Sequence, residues 1–221
     1  WYAANFDLSY ERMGQEGSYV NYGPGWAGAS RTPLTLFKGA ASEGGMRVPF
    51  IVSGPGIRQA ITTDTFGFVT DITPTLLELA GVEAPGGSFG GKDVHPIDGT
   101  SMLSYLRGDS AAIHGASEVV VYEMAGSAAV FRDGYKLMRN NPPFGDRQWR
   151  LYRPVDDPAE VNNLADAQPE LVAELLAAYK RFADDVNLIE VPDDYDVLEQ
   201  LQKNAARNQG DEILGTVPLL D

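Results

Sequence analysis

Ala128-Ala129-Val130-Phe131-Arg132-Asp133-Gly134-Tyr135-Lys136-Leu137-Met138 reads as a β-hairpin. Two apolar, strand-favouring runs flank Asp133-Gly134, a dipeptide that accepts the left-handed angles of a two-residue turn. Upstream, Val119-Val120-Val121-Tyr122 supplies a further strand, and downstream Gln148-Trp149-Arg150-Leu151-Tyr152 supplies a fourth. From Pro169 to Asp185, the residues Leu171, Leu175, Leu176, Tyr179 and Phe182 recur at helical spacing and present one apolar face. Residues 118–190 are therefore expected to form a small α+β unit, a four-stranded antiparallel sheet crossed by a helix. An acidic tail over residues 191–221 follows, with no clear period until Ile213-Leu214. It suits wrapping a surface or docking on a partner chain.

Ahead of residue 118 the pattern is of the layered α/β kind. Met46-Arg47-Val48-Pro49-Phe50-Ile51-Val52-Ser53 lies between Gly44-Gly45 and Gly54-Pro55-Gly56, which predicts a buried strand between turns. Phe66 to Thr70 offers a second strand. The stretch Asp71-Ile72-Thr73-Pro74-Thr75-Leu76-Leu77-Glu78-Leu79-Ala80-Gly81 predicts a short helix. Asp71 is its cap, Pro74 lies in its first turn and Gly81 stops it. Trp1 to Gly39 is rich in aromatic residues, glycine and proline and reads as a loop, as does Gly86 to Gly91. Residues 1–117 are thus expected to be one part of an α/β domain.

Composition limits the function. With 17 Lys+Arg against 31 Asp+Glu in 221 residues, the net charge is −14, and such a molecule repels polyanions, so nucleic acid is excluded as a partner. A small anionic substrate then needs a local cation, since surface charges are screened within about 8 Å at physiological salt. Single lysines become informative. There is no cysteine, hence no disulfide and no thiolate metal site. No apolar run approaches the ~20 residues of a membrane span, and the chain opens on Trp1 rather than Met, as expected of a fragment. The compartment stays open between bacterial cytoplasm and periplasm.

Five blocks, in order, carry a resemblance to the sulfatase family, bacterial arylsulfatase-like members of the alkaline-phosphatase superfamily. The first is Leu36-Phe37-Lys38-Gly39-Ala40-Ala41-Ser42-Glu43-Gly44-Gly45-Met46-Arg47-Val48-Pro49, similar to a segment in which a lysine precedes Glu-Gly-Gly-x-Arg-Val-Pro. The others are the Asp71–Gly81 stretch, Asp98-Gly99-Thr100-Ser101, Arg132-x-Gly134-Tyr135-Lys136 with Leu151-Tyr152, and Asp157-Pro158-x-Glu160-x-x-Asn163-Leu164. Asn21-Tyr22-Gly23-Pro24-Gly25-Trp26-Ala27 further resembles the bacterial arylsulfatases, so the resemblance covers roughly residues 19–185 and matches the C-terminal portion of such an enzyme.

The resemblance implies hydrolysis of a small-molecule sulfate ester by a formylglycine, with a calcium ion polarising the oxyanions. Neither group is placed in this chain. There is no Cys or Ser followed by x-Pro-x-Arg, and Asp156-Asp157, Asp184-Asp185 and Asp193-Asp194 match the context of neither calcium pair, so they read as solvated acidic pairs. The nucleophile and metal ligands are expected in a missing N-terminal half of the same protein, and no metal ligand is assigned here. Lys38 is the catalytic, substrate-binding position that carries over, the lysine that contacts a sulfate oxygen near the ester bond. Glu43, Gly44, Gly45 and Arg47 are expected to support it, the glycines by allowing a tight turn and Glu43 by pairing with Arg47. His95 and His114 match no catalytic histidine. Two other readings stay open: a phosphonate or phosphate ester hydrolase of the same superfamily, and a partner-binding module without catalysis.

Overall fold

The computed structural model describes residues 2–20, 23–57, 61–192, 194–197, 199–200 and 203–204. In the first half, helices α1 (Tyr2–Asn5), α2 (Gly23–Arg31), α3 (Glu43–Met46), α4 (Ile72–Ala80) and α5 (Leu103–Arg107) are joined by loops. A two-stranded ribbon, β1 (Ser88–Phe89) with β2 (Lys92–Asp93), lies between α4 and α5. The second half is a sheet in the order β3 (Val120–Met124), β4 (Ser127–Arg132), β5 (Tyr135–Arg139) and β6 (Arg150–Tyr152), followed by α6 (Pro169–Asp185). Every pairing in that sheet is antiparallel. The four strands and the crossing helix are those expected from the sequence.

Both tight hairpins turn on two left-handed residues. Asp133 (φ 49°) and Gly134 (φ 75°) join β4 to β5, while Ala125 (φ 52°) and Gly126 (φ 83°) join β3 to β4. The second turn carries no Asn-Gly or Asp-Gly signature. Its glycine is needed for space as well as for φ, because a Cβ on Gly126 would stand 2.1 Å from the Asn141 side chain.

Register then sorts the side chains onto two faces. Val121, Val130, Leu137 and Leu151 are cross-strand neighbours in one row, and α6 covers that row with Leu175, Ala178 and Tyr179. Val120, Phe131, Lys136 and Tyr152 form the next row, on the opposite face, beside Tyr122, Ala129 and Met138. That face is covered by Ala41 and Met46, from the chain around α3. Because both faces are packed, Ser127 to Val130 of β4 are buried without alternation.

Three expectations for the first half are corrected. Met46 to Ser53 is not a buried strand: Met46 ends α3, and residues 47–53 make no ladder among the described residues. Val48, Phe50 and Ile51 are 69%, 58% and 90% exposed. An apolar run becomes a strand only where a neighbouring strand takes up its N–H and C=O groups, and among the described residues no strand pairs with this run. Phe66 to Thr70 is likewise no strand; Val69–Asp71 is a 3₁₀ turn, and the Phe66 ring packs 4.8 Å from that of Phe131. Third, the glycine-rich N-terminal stretch contains the nine-residue helix α2, which Pro24 permits because it falls in the first turn, where no amide donor is needed. The helix α4 ends as predicted, with Gly81 left-handed (φ 66°) and its N–H bonded to the Glu78 carbonyl at 3.1 Å.

Candidate functional site

The Lys38 turn is built from both sides. Lys38 and Gly39 form a tight turn closed by the Ala40 N–H on the Phe37 carbonyl at 3.1 Å. Gly39 (φ 101°) takes the angle that a side chain would resist. Before the turn, Leu36 is held at φ 60°, a conformation that costs a non-glycine residue about 1–2 kcal/mol. Lys38 is exposed, and among the described residues no hydrogen bond or ion pair engages its ammonium. The neighbouring cavity of about 170 Å³, lined by Leu36, Ser42, Asn140, Phe144 and Glu160 among others, does not include Lys38.

Gly44 and Gly45 support the turn in a different way from the one expected. Both are helical, and what they need is room: a Cβ on Gly44 would lie 2.1 Å from the Leu36 carbonyl oxygen, and one on Gly45 2.2 Å from that of Ala40. The Gly44 N–H donates to the Thr35 carbonyl at 2.9 Å. The loop and α3 can thus touch backbone to backbone only because both side chains are absent.

Glu43 does not pair with Arg47 through their side chains. The Arg47 guanidinium goes to Asp64, and the Arg47 carbonyl accepts from Arg31, whose Nε also donates to the Gly44 carbonyl at 3.0 Å. Glu43 instead faces Lys136, with Oε1 2.9 Å from Nζ. On the other side of Nζ stands Glu160 Oε1, at 2.8 Å, and Glu160 Oε2 accepts the Glu43 N–H at 3.0 Å. The Lys136 side chain is 0% exposed. Two carboxylates around one buried ammonium leave Glu160 undercompensated, so burial pushes its pKa up despite the adjacent lysine. Asn140 completes the tether: its Oδ1 accepts the Ala41 N–H at 2.7 Å and its Nδ2 donates to Ser42 Oγ at 2.8 Å.

A second polar cluster lies around Asp71. Its carboxylate does not cap α4; it reaches back to the Phe68 N–H at 2.6 Å and across to the Thr100 N–H at 2.9 Å. His114 bridges Asp71 and Glu118, with Nε2 2.7 Å from Asp71 Oδ2 and Nδ1 2.8 Å from Glu118 Oε1. His114 is therefore no isolated surface imidazole, whereas His95 is exposed in a loop. Thr100 Oγ1 donates to Glu118 at 2.6 Å. A Cβ on Gly99 (φ 97°) would collide with the Thr70 carbonyl at 2.5 Å, which explains the glycine of the Asp98-Gly99-Thr100-Ser101 block.

This cluster makes stability depend on pH from both sides. Burial lowers the His114 pKa, but the hydrogen bonds and charges of Asp71 and Glu118 outweigh it and raise it above the ordinary 6.5. Burial raises that of Glu118, yet bonds from Thr100, His114 and the Gly115 amide carry it below 4.5. The histidine contribution is full below its unfolded pKa and is lost as pH rises through its higher folded value. The glutamate contribution is full above its unfolded pKa and is lost as pH falls through its lower folded value. The cluster should be most stabilising between about pH 4.5 and 6.5. We expect His114→Gln to flatten the alkaline side of a pH series of urea midpoints; an unchanged slope would show that the bridge contributes nothing.

Of the acidic pairs, Asp157 accepts the Val161 and Asn162 N–H groups at 3.2 and 2.8 Å, so it shapes a turn rather than standing free in water. Asp156 pairs with Arg153, and Asp184 with Lys180. Asp193 lies outside the described residues, as do Trp1, Asn21, Tyr22 and most of the tail. Among the described residues no group of three or more His, Cys, Asp or Glu is arranged to hold a metal ion. The described residues therefore do not build the calcium site that the resemblance implies. No described helix is long and apolar enough to cross a membrane.

The family described as N-sulphoglucosamine sulphohydrolase, C-terminal, matches residues 37–183. A sulfatase of Schizosaccharomyces pombe is 34% identical over 191 residues, covering 86% of this chain and 34% of its own length. An arylsulfatase of Klebsiella aerogenes is 41% identical over 100 residues, covering 44% of this chain and 21% of its own. The chain thus spans about a third or less of the relatives it matches. The crystal structure of Ps i-CgsB in complex with k-i-k-neocarrahexaose shares the fold, with a TM-score of 0.56 over 84% of this chain and 39% of that one, at 19% identity.

Proposed function

The chain belongs to the sulfatase C-terminal family described as N-sulphoglucosamine sulphohydrolase, C-terminal, and from that premise we propose that it completes a sulfate ester hydrolase of arylsulfatase type. In this reading Lys38 contacts a sulfate oxygen beside the scissile ester bond. The observation that carries it is the contrast within the turn: a backbone fixed on both sides, and an exposed ammonium that no described residue engages. A surface lysine has no need of such a base. A lysine that must meet a substrate oxygen does, because fixed placement avoids reorganisation at the moment of reaction. Its contribution is electrostatic: as the S–O bond breaks, negative charge grows on the leaving oxygen, and a compact ammonium nearby offsets it.

The nucleophile, a formylglycine, and the calcium ion belong in this proposal to the part of the polypeptide that the chain does not span. Calcium would supply polarisation of the sulfate oxygens when bound. The exposed apolar residues Val48, Phe50 and Ile51, with Leu76 and Leu79 on α4, support a covering partner, for which the remainder of the same protein is the natural occupant.

The test compares the complete polypeptide with residues 1–221 alone, on an aryl sulfate and an aryl phosphonate monoester, with calcium present. We expect the complete protein to hydrolyse the sulfate faster and the isolated chain to turn over neither. A preference for the phosphonate would transfer the reading to the related ester hydrolases. No turnover of either ester by the complete protein would favour a binding module. Hydrolysis by a mass-verified sample of this chain alone would overturn the placement of the nucleophile elsewhere.

A further inference from the structure

The row that contains Lys136 is an apolar one. Its cross-strand neighbours are Phe131 and Tyr152, and the ammonium lies 5.6 Å from the centre of the Phe131 ring. For stability alone this is an uneconomical place for a charge, since a buried ion pair is seldom better than apolar side chains of the same volume. What the lysine does that a methionine cannot is join three distant pieces of chain at fixed points. From β5 it holds the carboxylate of Glu43, the first residue of α3, and the carboxylate of Glu160, which in turn takes the Glu43 N–H. Both the side chain and the backbone of Glu43 are thereby fixed relative to the sheet. Glu160 itself is held left-handed, at φ 53°, a strain of about 1–2 kcal/mol that the surrounding contacts must offset.

Glu43 follows Lys38 closely in the chain, and of the four residues between them Ala40, Ala41 and Ser42 are buried. With Asn140 bound to Ala41 and Ser42, the stretch after the turn has little freedom, and with Gly44 bound to Thr35 neither has the stretch before it. We propose that Lys136 is a positioning residue: held between Glu43 and Glu160, it sets where the turn presents the Lys38 ammonium. The inference rests on the reading of Lys38 as the sulfate-contacting lysine. Lys136 touches no substrate and acts only through the turn.

The experiment is a double-mutant cycle in the complete enzyme, measured on aryl sulfates with good and poor leaving groups. Lys38→Ala, Lys136→Met and the pair are compared after far-UV circular dichroism shows each to be folded. Lys136→Met is expected to lower kcat about 10–100-fold, as small misplacements of a reacting group do. The loss should grow with poorer leaving groups, as in Lys38→Ala. In the Lys38→Ala background the same substitution should cost less than about 3-fold, because nothing remains to be placed. Should Lys136→Met fail to fold, Glu160→Gln keeps the shape and the Lys136–Glu43 pair. It is expected to lower kcat about 3–10-fold, again only while Lys38 is present. If Lys38→Ala is near native, the reading of Lys38 falls and this inference with it. If Lys38→Ala is impaired but the Lys136 or Glu160 variant is silent, or costs as much without Lys38 as with it, the inference alone is overturned.

Discussion

Replacing Lys38 by alanine in the complete enzyme should lower turnover of an aryl sulfate by about two to three powers of ten, the range for losing one preorganised oxyanion contact. Stability should hardly change, because the side chain is exposed and none of the described contacts depends on its ammonium. Lys38→Arg should recover only part of the loss: a planar guanidinium is larger and spreads its charge, so it cannot occupy the same point beside an oxygen. If the ammonium acts on the leaving oxygen, the deficit must widen as the leaving group worsens and more charge develops there. The slope of log kcat against leaving-group pKa is the decisive measurement. Near-native rates in Lys38→Ala with both good and poor leaving groups would return Lys38 to an ordinary surface lysine.

The largest effect on folding is expected at Leu175. It is fully buried where α6 meets Val130, Leu137 and Leu151 of the sheet, and it has no polar partner to compensate its loss. Leu175→Ala should cost about 2–5 kcal/mol, the sum of lost apolar transfer and the cavity left behind. Urea unfolding with an unchanged m-value would read this as a lower midpoint. Leu171, only partly buried in the same contact, should cost less. A loss at Leu175 under about 1 kcal/mol would mean that the helix does not depend on this row for its attachment.

These two residues also show what could be read from the chain before its structure was known. Leu175 was legible because a helix repeats every 3.6 residues and a strand every two, so each apolar stripe announces its own partner. The Asp133-Gly134 turn was legible because few dipeptides accept two left-handed residues. The Val48 to Val52 run misled for the converse reason: its composition is that of a core strand, but pairing is a property of neighbours, and the chain spans only part of its relatives' length. Lys38 was singled out through resemblance alone, and its role rests on the experiment above. Lys136 was visible only as part of a motif, although its spacing from Met138 and its place across the hairpin from Phe131 put a charge on an apolar face. A charge there requires a counter-ion, and Glu43 and Glu160 are that requirement met from far away in the chain. The Asp71, His114 and Glu118 cluster left no comparable trace, because His114 and Asp71 are 43 residues apart and no local period links them.

The separation between Glu43 and Lys136, 93 residues, and that between Ala41 and Asn140, 99 residues, bear on the order of events during synthesis. The hairpin strands meet their neighbours within a few residues, so their pairing requires little loop closure, whereas the Lys38 turn must wait until about a hundred later residues have been made. During translation at about 5–20 residues per second, that wait amounts to about 5–20 seconds. Until Lys136 and Glu160 have been made, the carboxylate of Glu43 lacks the partners that surround it in the folded chain. The turn that presents Lys38 is in this sense completed by partners made long after it.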